Sequence, residues 1–197
     1  MPDLPPSLVA GYASFRAGPY LATRDRYRQL AERGQRPEVM VVACSDSRSA
    51  PEAVFDAGPG ELFVVRNVGA LVPPYAPDGN LHGVSAALEY AVLALAIRSI
   101  IVLGHGRCGG IAAALDGAAP LSETDFVGTW TAGLRGLATS IDPRPDEPLD
   151  AEGRRLVLER RSIERSLANL RSFPWIASRE AAGTLGLHGA WFDVGLG

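Results

Sequence analysis

Cysteine is scarce in this chain of 197 residues: only Cys44 and Cys108 are present. A secreted scaffold held together by disulfides needs more. Long runs of one charge are absent as well. The formal net charge is -3, with no Lys/Arg-rich tail, so no nucleic-acid partner is expected. The densest basic stretch, Arg154, Arg155, Arg160 and Arg161, is interleaved with Glu152, Glu159 and Glu164 and reads as a solvated helix face. No apolar run is long enough to span a bilayer; the most apolar one, residues 84–97, is interrupted by Glu89, and no membrane partner is expected. The N-terminus has no basic head followed by an apolar run, so a signal peptide is not expected. The expected location is the cytoplasm.

What is present is the composition of an ordinary globular protein, 47% hydrophobic and 21% charged. The length suits one domain over residues 1–197, including an N-terminal arm or helix at 1–34. Residues 1–20, with Pro2, Pro5, Pro6 and Pro19, read as loop or loose helix, and Tyr20 to Glu32 as a helix ended by Gly34 and Pro37. Short apolar runs at 39–43, 62–65 and 99–103 read as buried strands. Between them, Pro51 opens a short helix, 67–80 is a Pro/Gly-rich loop, and 81–97 reads as a helix apolar on most sides, hence buried. Helices are expected at 111–115, 124–140 and 152–170, a Pro-rich surface loop at 142–148, and a final strand pair or edge strand near 185–194. Alternating strands and helices predict an α/β single domain: a central, mainly parallel β-sheet flanked by helices, with an antiparallel edge strand.

Both cysteines follow the C-terminal ends of predicted strands, where open α/β sheets place their ligand crevices. In isolation the pair reads as buried thiols or one disulfide. The neighbourhood changes that reading. His105-Gly-Arg-Cys108 puts an imidazole and a thiol on one turn, and Cys44 ends another strand. Two sulfurs and one nitrogen match a zinc site with an open fourth position. Asp46 and Arg48 lie at alternate positions after Cys44. They are either a surface ion pair of little consequence or an oriented pair at the metal, the guanidinium fixing one carboxylate geometry. In the second case Asp46 either accepts a hydrogen bond from a metal-bound hydroxide or takes the fourth zinc position itself. His82 and His188 lack such neighbours and read as ordinary histidines.

Taken together, Cys44-Ser-Asp-Ser-Arg48, Glu61-Leu-Phe-Val-Val-Arg-Asn67, Gly104-His-Gly-Arg-Cys-Gly-Gly110, the stretch Ser162 to Leu170 and the terminal His188-Gly-Ala-Trp-Phe-Asp193 resemble the β-class carbonic anhydrases over nearly all of residues 20–195. The resemblance implies one Zn2+ per chain on Cys44, His105 and Cys108, with Asp46 and Arg48 as a catalytic dyad. It implies an enzyme, a lyase, that hydrates carbon dioxide reversibly to bicarbonate and a proton by attack of zinc-bound hydroxide.

The pocket pattern resembles the plant-like, open-site branch. Gln35 stands nine residues before the first cysteine, Phe63 and Val68 stand near the second strand, Tyr90 stands fifteen residues before the histidine, and Gly109 follows the last ligand. In that branch the pocket lies at a dimer interface, with Gln35, Phe63 and Tyr90 supplied by the neighbouring chain. A homodimer or a dimer of dimers is therefore implied. The branch that closes its zinc with the aspartate needs a tryptophan where this chain has Val41, and a valine where it has Ser49; its bicarbonate side site is not expected here. Three rival readings are a nucleotide-binding module using the Gly104–Gly110 segment, which lacks the expected glycine spacing, a non-catalytic zinc scaffold, and the same fold acting on carbonyl sulfide or carbon disulfide.

Overall fold

The computed structural model describes residues 4–117, 119–141 and 149–197. The loop expected over 142–148 lies outside the described residues. Four strands carry the architecture: β1 (Val39–Cys44), β2 (Leu62–Asn67), β3 (Ser99–His105) and β4 (Gly186–Phe192). They form one sheet in the order β2-β1-β3-β4. β1 is central, and all of it but Val39 is buried, as a strand covered on both faces must be.

Every pairing in the sheet is parallel. This corrects the antiparallel edge strand expected near the C-terminus: β4 runs alongside β3 from Ser99↔Gly186 to His105↔Phe192. The reason is the crossover. The chain leaves β3 through α5 (Gly109–Asp116), α6 (Phe126–Thr139), α7 (Ala151–Leu170) and α8 (Pro174–Ala181). This helical connection returns the chain to the end of the sheet where β3 began, so β4 enters in the same direction. Helix α8 had no counterpart in the sequence reading.

The N-terminal region is also more regular than expected. Helix α1 spans Pro6–Ala17 and α2 spans Pro19–Arg33. Pro6 and Pro19, which read as loop punctuation, sit in the first turn of helices, as do Pro51 of α3 (Pro51–Val54) and Pro174. There the missing N–H costs nothing and the fixed φ suits the helix. Neither α1 nor α2 has a buried residue. The single buried helix expected at 81–97 is instead α4 (Gly83–Glu89), continued by a wider π-turn over Tyr90–Ala94. Leu88, Ala91 and Val92 are buried, whereas Tyr90 and Leu93 are half exposed.

One sheet face packs Met40, Val42, Ile100 and Val102 against Leu88, Val92, Ile163 and Phe173. A separate cluster joins Cys44 and Cys108 to Leu71, Ile111, Leu134 and Leu158, under α5, α6 and α7. Helix α7 starts where the Asp150 carboxylate accepts the Gly153 N–H at 2.7 Å, a standard N-cap. Its inner face carries Leu158, Glu159, Ser162, Ile163, Ser166 and Leu170. Glu159 is therefore not part of a solvated face, as its charged neighbours had suggested; the 159-162-163-166-170 spacing puts it on the buried stripe. A Cβ at Gly104 would lie 2.7 Å from Ile163 Cδ1, so glycine lets β3 approach α7 closely.

Candidate metal centre

The chain runs from β1 to β2 on one side and then crosses to β3 on the other. The crevice between the C-terminal ends of β1 and β3 is thus the topological switch point of the sheet. Cys44 is the last residue of β1 and His105 the last of β3. Cys108 caps the N-terminus of α5. The ligand-type atoms of Cys44, His105 and Cys108 all lie within 4.8 Å of one another, and all three residues are buried.

The two thiols are free, with the sulfurs 3.8 Å apart, so the pair is not a disulfide. The hydrogen bond donated by Cys108 holds the Cys44 thiol well below its ordinary pKa. The same bond, together with burial, pushes Cys108 up. One sulfur pushed down beside one pushed up is the pattern of a pair that can serve as thiolate ligands. His105 Nδ1 donates to the Gly106 carbonyl at 2.9 Å, which leaves the lone pair on Nε2. That atom is buried with no hydrogen-bond partner, the one such side-chain atom among the described residues. Burial without a partner is costly. An orphaned imidazole nitrogen facing two sulfurs is the donor set of a tetrahedral metal with one position open.

Asp46 and Arg48 are an oriented pair, not a loose surface contact. Arg48 donates from Nε to Asp46 Oδ1 at 2.9 Å and from Nη2 to Oδ2 at 2.7 Å, and its backbone N–H donates to Oδ1 at 2.9 Å. The Arg48 side chain holds the Asp46 carboxyl well below the usual carboxylate range. Asp46 Oδ2 lies 3.9 Å from His105 Nε2, so the carboxylate borders the point where the ligand atoms converge. Ser49, fully buried, accounts for itself: its Oγ and N–H both donate to the Asp46 carbonyl, at 3.3 and 3.2 Å.

Two further residues support these loops: Arg66, which the sequence reading gave no role, and Glu159, which it placed on a solvated face. Arg66 donates from Nε to the Cys44 carbonyl at 2.8 Å and from Nη2 to the Asp46 carbonyl at 2.6 Å. Its place at the end of β2, opposite Ala43, was the available signal. Glu159 accepts the Cys108 N–H at 3.1 Å.

The expected pocket residues divide. Val68 is at the site: a Cβ on Gly110 would lie 2.6 Å from Val68 Cγ1, so glycine admits this contact beside the Cys108 turn. Gly109 is exposed at the first position of α5. Phe63 and Tyr90 pack on each other, with ring centroids 5.9 Å apart. Phe63 pairs with Met40, whereas Asn67 pairs with Cys44. Four strand residues at about 3.3 Å each separate Phe63 from the metal end of the sheet. Gln35 is exposed in the loop between α2 and β1. These three are not gathered around the chain's own cysteines.

Comparison with known proteins agrees with this geometry. The sequence model of the family described as carbonic anhydrase matches residues 39–197. A carbonic anhydrase of Pseudomonas aeruginosa is 37% identical over 188 residues, covering 95% of this chain and 82% of that protein. Among solved structures, the β-carbonic anhydrase CcaA superimposes with a TM-score of 0.87 at 34% identity, over 96% of this chain and 83% of the other. A structure from a study of two tetrameric β-carbonic anhydrases of Sordaria macrospora gives 0.75 at 29% identity, over 96% and 88%. A buried Cys44–His105–Cys108 cluster beside the Asp46–Arg48 pair, on a parallel sheet matched throughout by these relatives, means that the chain belongs to the carbonic anhydrase family, in its β class.

Proposed function

We propose that this enzyme performs its family's reaction, the reversible hydration of carbon dioxide to bicarbonate and a proton, with one zinc ion held by Cys44, His105 and Cys108. The observation that carries the proposal is the convergence of two sulfurs and an unpartnered imidazole nitrogen within 4.8 Å. Zinc held there would supply a Lewis acid that lowers the pKa of water to near neutrality, and so a hydroxide nucleophile.

The chain's own residues do the rest. Asp46 stays anionic and fixed by Arg48, so it offers an acceptor of one orientation beside the ligand cluster. It would accept a hydrogen bond from an O–H group at the site and thereby orient the oxygen's lone pair toward the substrate. Bound to Arg48 through both oxygens, it would be held back from a metal on the three ligand atoms, which would leave the fourth position open near neutral pH. An Asp46 oxygen at about 2.0–2.2 Å from zinc in a crystal grown near pH 7 would overturn that part.

Carbon dioxide is small, linear and apolar. Val68 supplies one apolar wall, and Phe63 and Tyr90 of a neighbouring copy supply others. The product is an anion, for which the Gln35 amide of that copy and the Gly109 N–H are donors. The site is thus completed in a homodimer, alone or as a dimer of dimers. Three exposed features support this. Tyr90, packed on Phe63, and Leu93 are 50% and 55% exposed, and α1 presents Leu8, Val9 and Tyr12 to solvent. The two free thiols suit a reducing compartment such as the cytoplasm.

Metal analysis with stopped-flow carbon dioxide hydration is the test. About one zinc per chain and a hydration rate lost on chelation are expected. Zinc bound without hydration, or a Cys44–Cys108 disulfide in active protein, would falsify the reading.

A further inference from the structure

Glu159 is a buried carboxylate that the reaction does not use. It is 2% exposed, and a charge in such a place is costly unless it is well paired. Its partners are specific. Oε1 accepts the Cys108 backbone N–H at 3.1 Å and lies 3.8 Å from Arg155 Nε. Oε2 accepts the Trp191 indole N–H at 3.3 Å.

The peptide held by Oε1 joins Arg107 to Cys108. Its carbonyl, on Arg107, accepts the Arg48 Nη2 at 3.2 Å. One peptide unit therefore has its N–H on Glu159 and its C=O on the arginine of the dyad. Arg107 itself has a φ of 56°, a left-handed conformation that a non-glycine residue keeps only when its surroundings impose it. A hydrogen bond to a carboxylate is stronger than one to a neutral group. It also polarises the peptide, which strengthens the carbonyl as an acceptor for Arg48.

We infer that Glu159 is a positioning residue which, through the Arg107–Cys108 peptide, holds the Cys108 ligand and the Arg48 guanidinium in register with each other. The inference rests on the metal centre proposed above. It goes beyond that centre in making α7, an element far along the chain from the ligand-bearing turns, the support of both the ligand set and the dyad. A side chain that merely packs α7 would not need a charge, and would not need to aim it at this amide.

Glu159→Gln is the test, since it keeps the shape. A glutamine has one acceptor oxygen, so it satisfies the Cys108 or the Trp191 donor but not both. The variant and its parent are loaded with cobalt(II) and, separately, with zinc. The visible cobalt bands are expected to shift. Zinc is expected to pass to a competing chelator about 10–100-fold more readily, with kcat lowered over a similar range and KM little changed. Glu152→Gln is the control: Glu152 meets the Arg107 and Arg155 side chains at 3.5 and 3.7 Å but not the peptide, and all of these readings should stay at the parent's values.

Metal-free protein gives an independent reading. Amide exchange over residues 106–110 is expected to be faster in Glu159→Gln. Parental cobalt bands, chelator resistance and exchange rates would overturn the inference, even in a variant of lower thermal midpoint. Should Glu159→Gln fail to fold, Glu159→Asp, with the same charge and a shorter reach, is read in the same way. A parent that takes up neither metal would sink the proposed function instead. The exchange comparison would then decide Glu159 alone: faster exchange supports it and equal rates overturn it.

Discussion

Asp46 receives two hydrogen bonds from the Arg48 side chain and one from the Arg48 amide, and its protonation is shifted accordingly. Its folded pKa lies below the ordinary value of about 3.9, so the stability it contributes is fully present above that pH. The contribution is lost as pH falls through the folded pKa. Asp46→Asn is therefore expected to lie below its parent in stability at neutral pH, with the gap narrowing as acid denaturation is followed below about pH 3.9. The same variant, and Arg48→Ala, should retain zinc while turnover falls about 10–100-fold; zinc content falling in step with turnover would mean the pair is structural. The sulfurs make a separate prediction. With Cys44 lowered and Cys108 raised, the metal-free pair is expected to hold one proton. Zinc uptake at mildly alkaline pH should release about one proton per site, measured by calorimetry in buffers of different ionisation enthalpy. Release of two would show that the thiols titrate independently.

At the scale of elements, the site depends on how closely β3 and its turn can be approached. A methyl group at Gly104 would meet Ile163 Cδ1, and over-packing of this kind costs about 1–3 kcal/mol. Gly104→Ala should lower stability by that much in urea. Ile163→Val removes the clashing methyl group, so the double variant should recover part of the loss; simple addition of the two single effects would refute the contact. Much of this level was legible in sequence. The runs 39–43, 62–65 and 99–103 became strands because β-branched residues in short apolar runs suit a sheet covered on both faces. What was misread shares one cause: a local signal has two meanings until its surroundings are known. Pro6 and Pro19 mark loops or helix starts equally well. Glu159 looked solvated because its sequence neighbours are charged, although its helical neighbours are Ser162 and Ile163.

At the scale of the molecule, α1 and α2 contain no buried residue in the single chain, Phe63 and Tyr90 pack on each other away from the metal end of the sheet, and Tyr90 and Leu93 are half exposed. A second copy covering these residues is the arrangement proposed above. Leu93→Glu places a charge among them and is expected to shift the protein toward monomer in light scattering at micromolar concentration. Hydration activity should fall with the dimer fraction, because Phe63, Tyr90 and Gln35 would no longer face a partner's metal. A fully active monomer would refute the shared pocket.

The sequence by itself determined the chemistry: Cys44, His105 and Cys108 as ligand types, Asp46 and Arg48 at alternate positions, and strands ending where those residues begin. Such features are local, set by residue identity and by spacing along one strand or turn. Only the tertiary structure decided which way β4 runs, which face of α7 is buried, and that Glu159 and Arg48 grip the same peptide from opposite ends. Those outcomes depend on contacts between segments far apart in the chain. Strand direction follows from the length and course of the α5–α8 crossover, and the charge on Glu159 is tolerated only because the Cys108 amide, Trp191 and Arg155 meet it there.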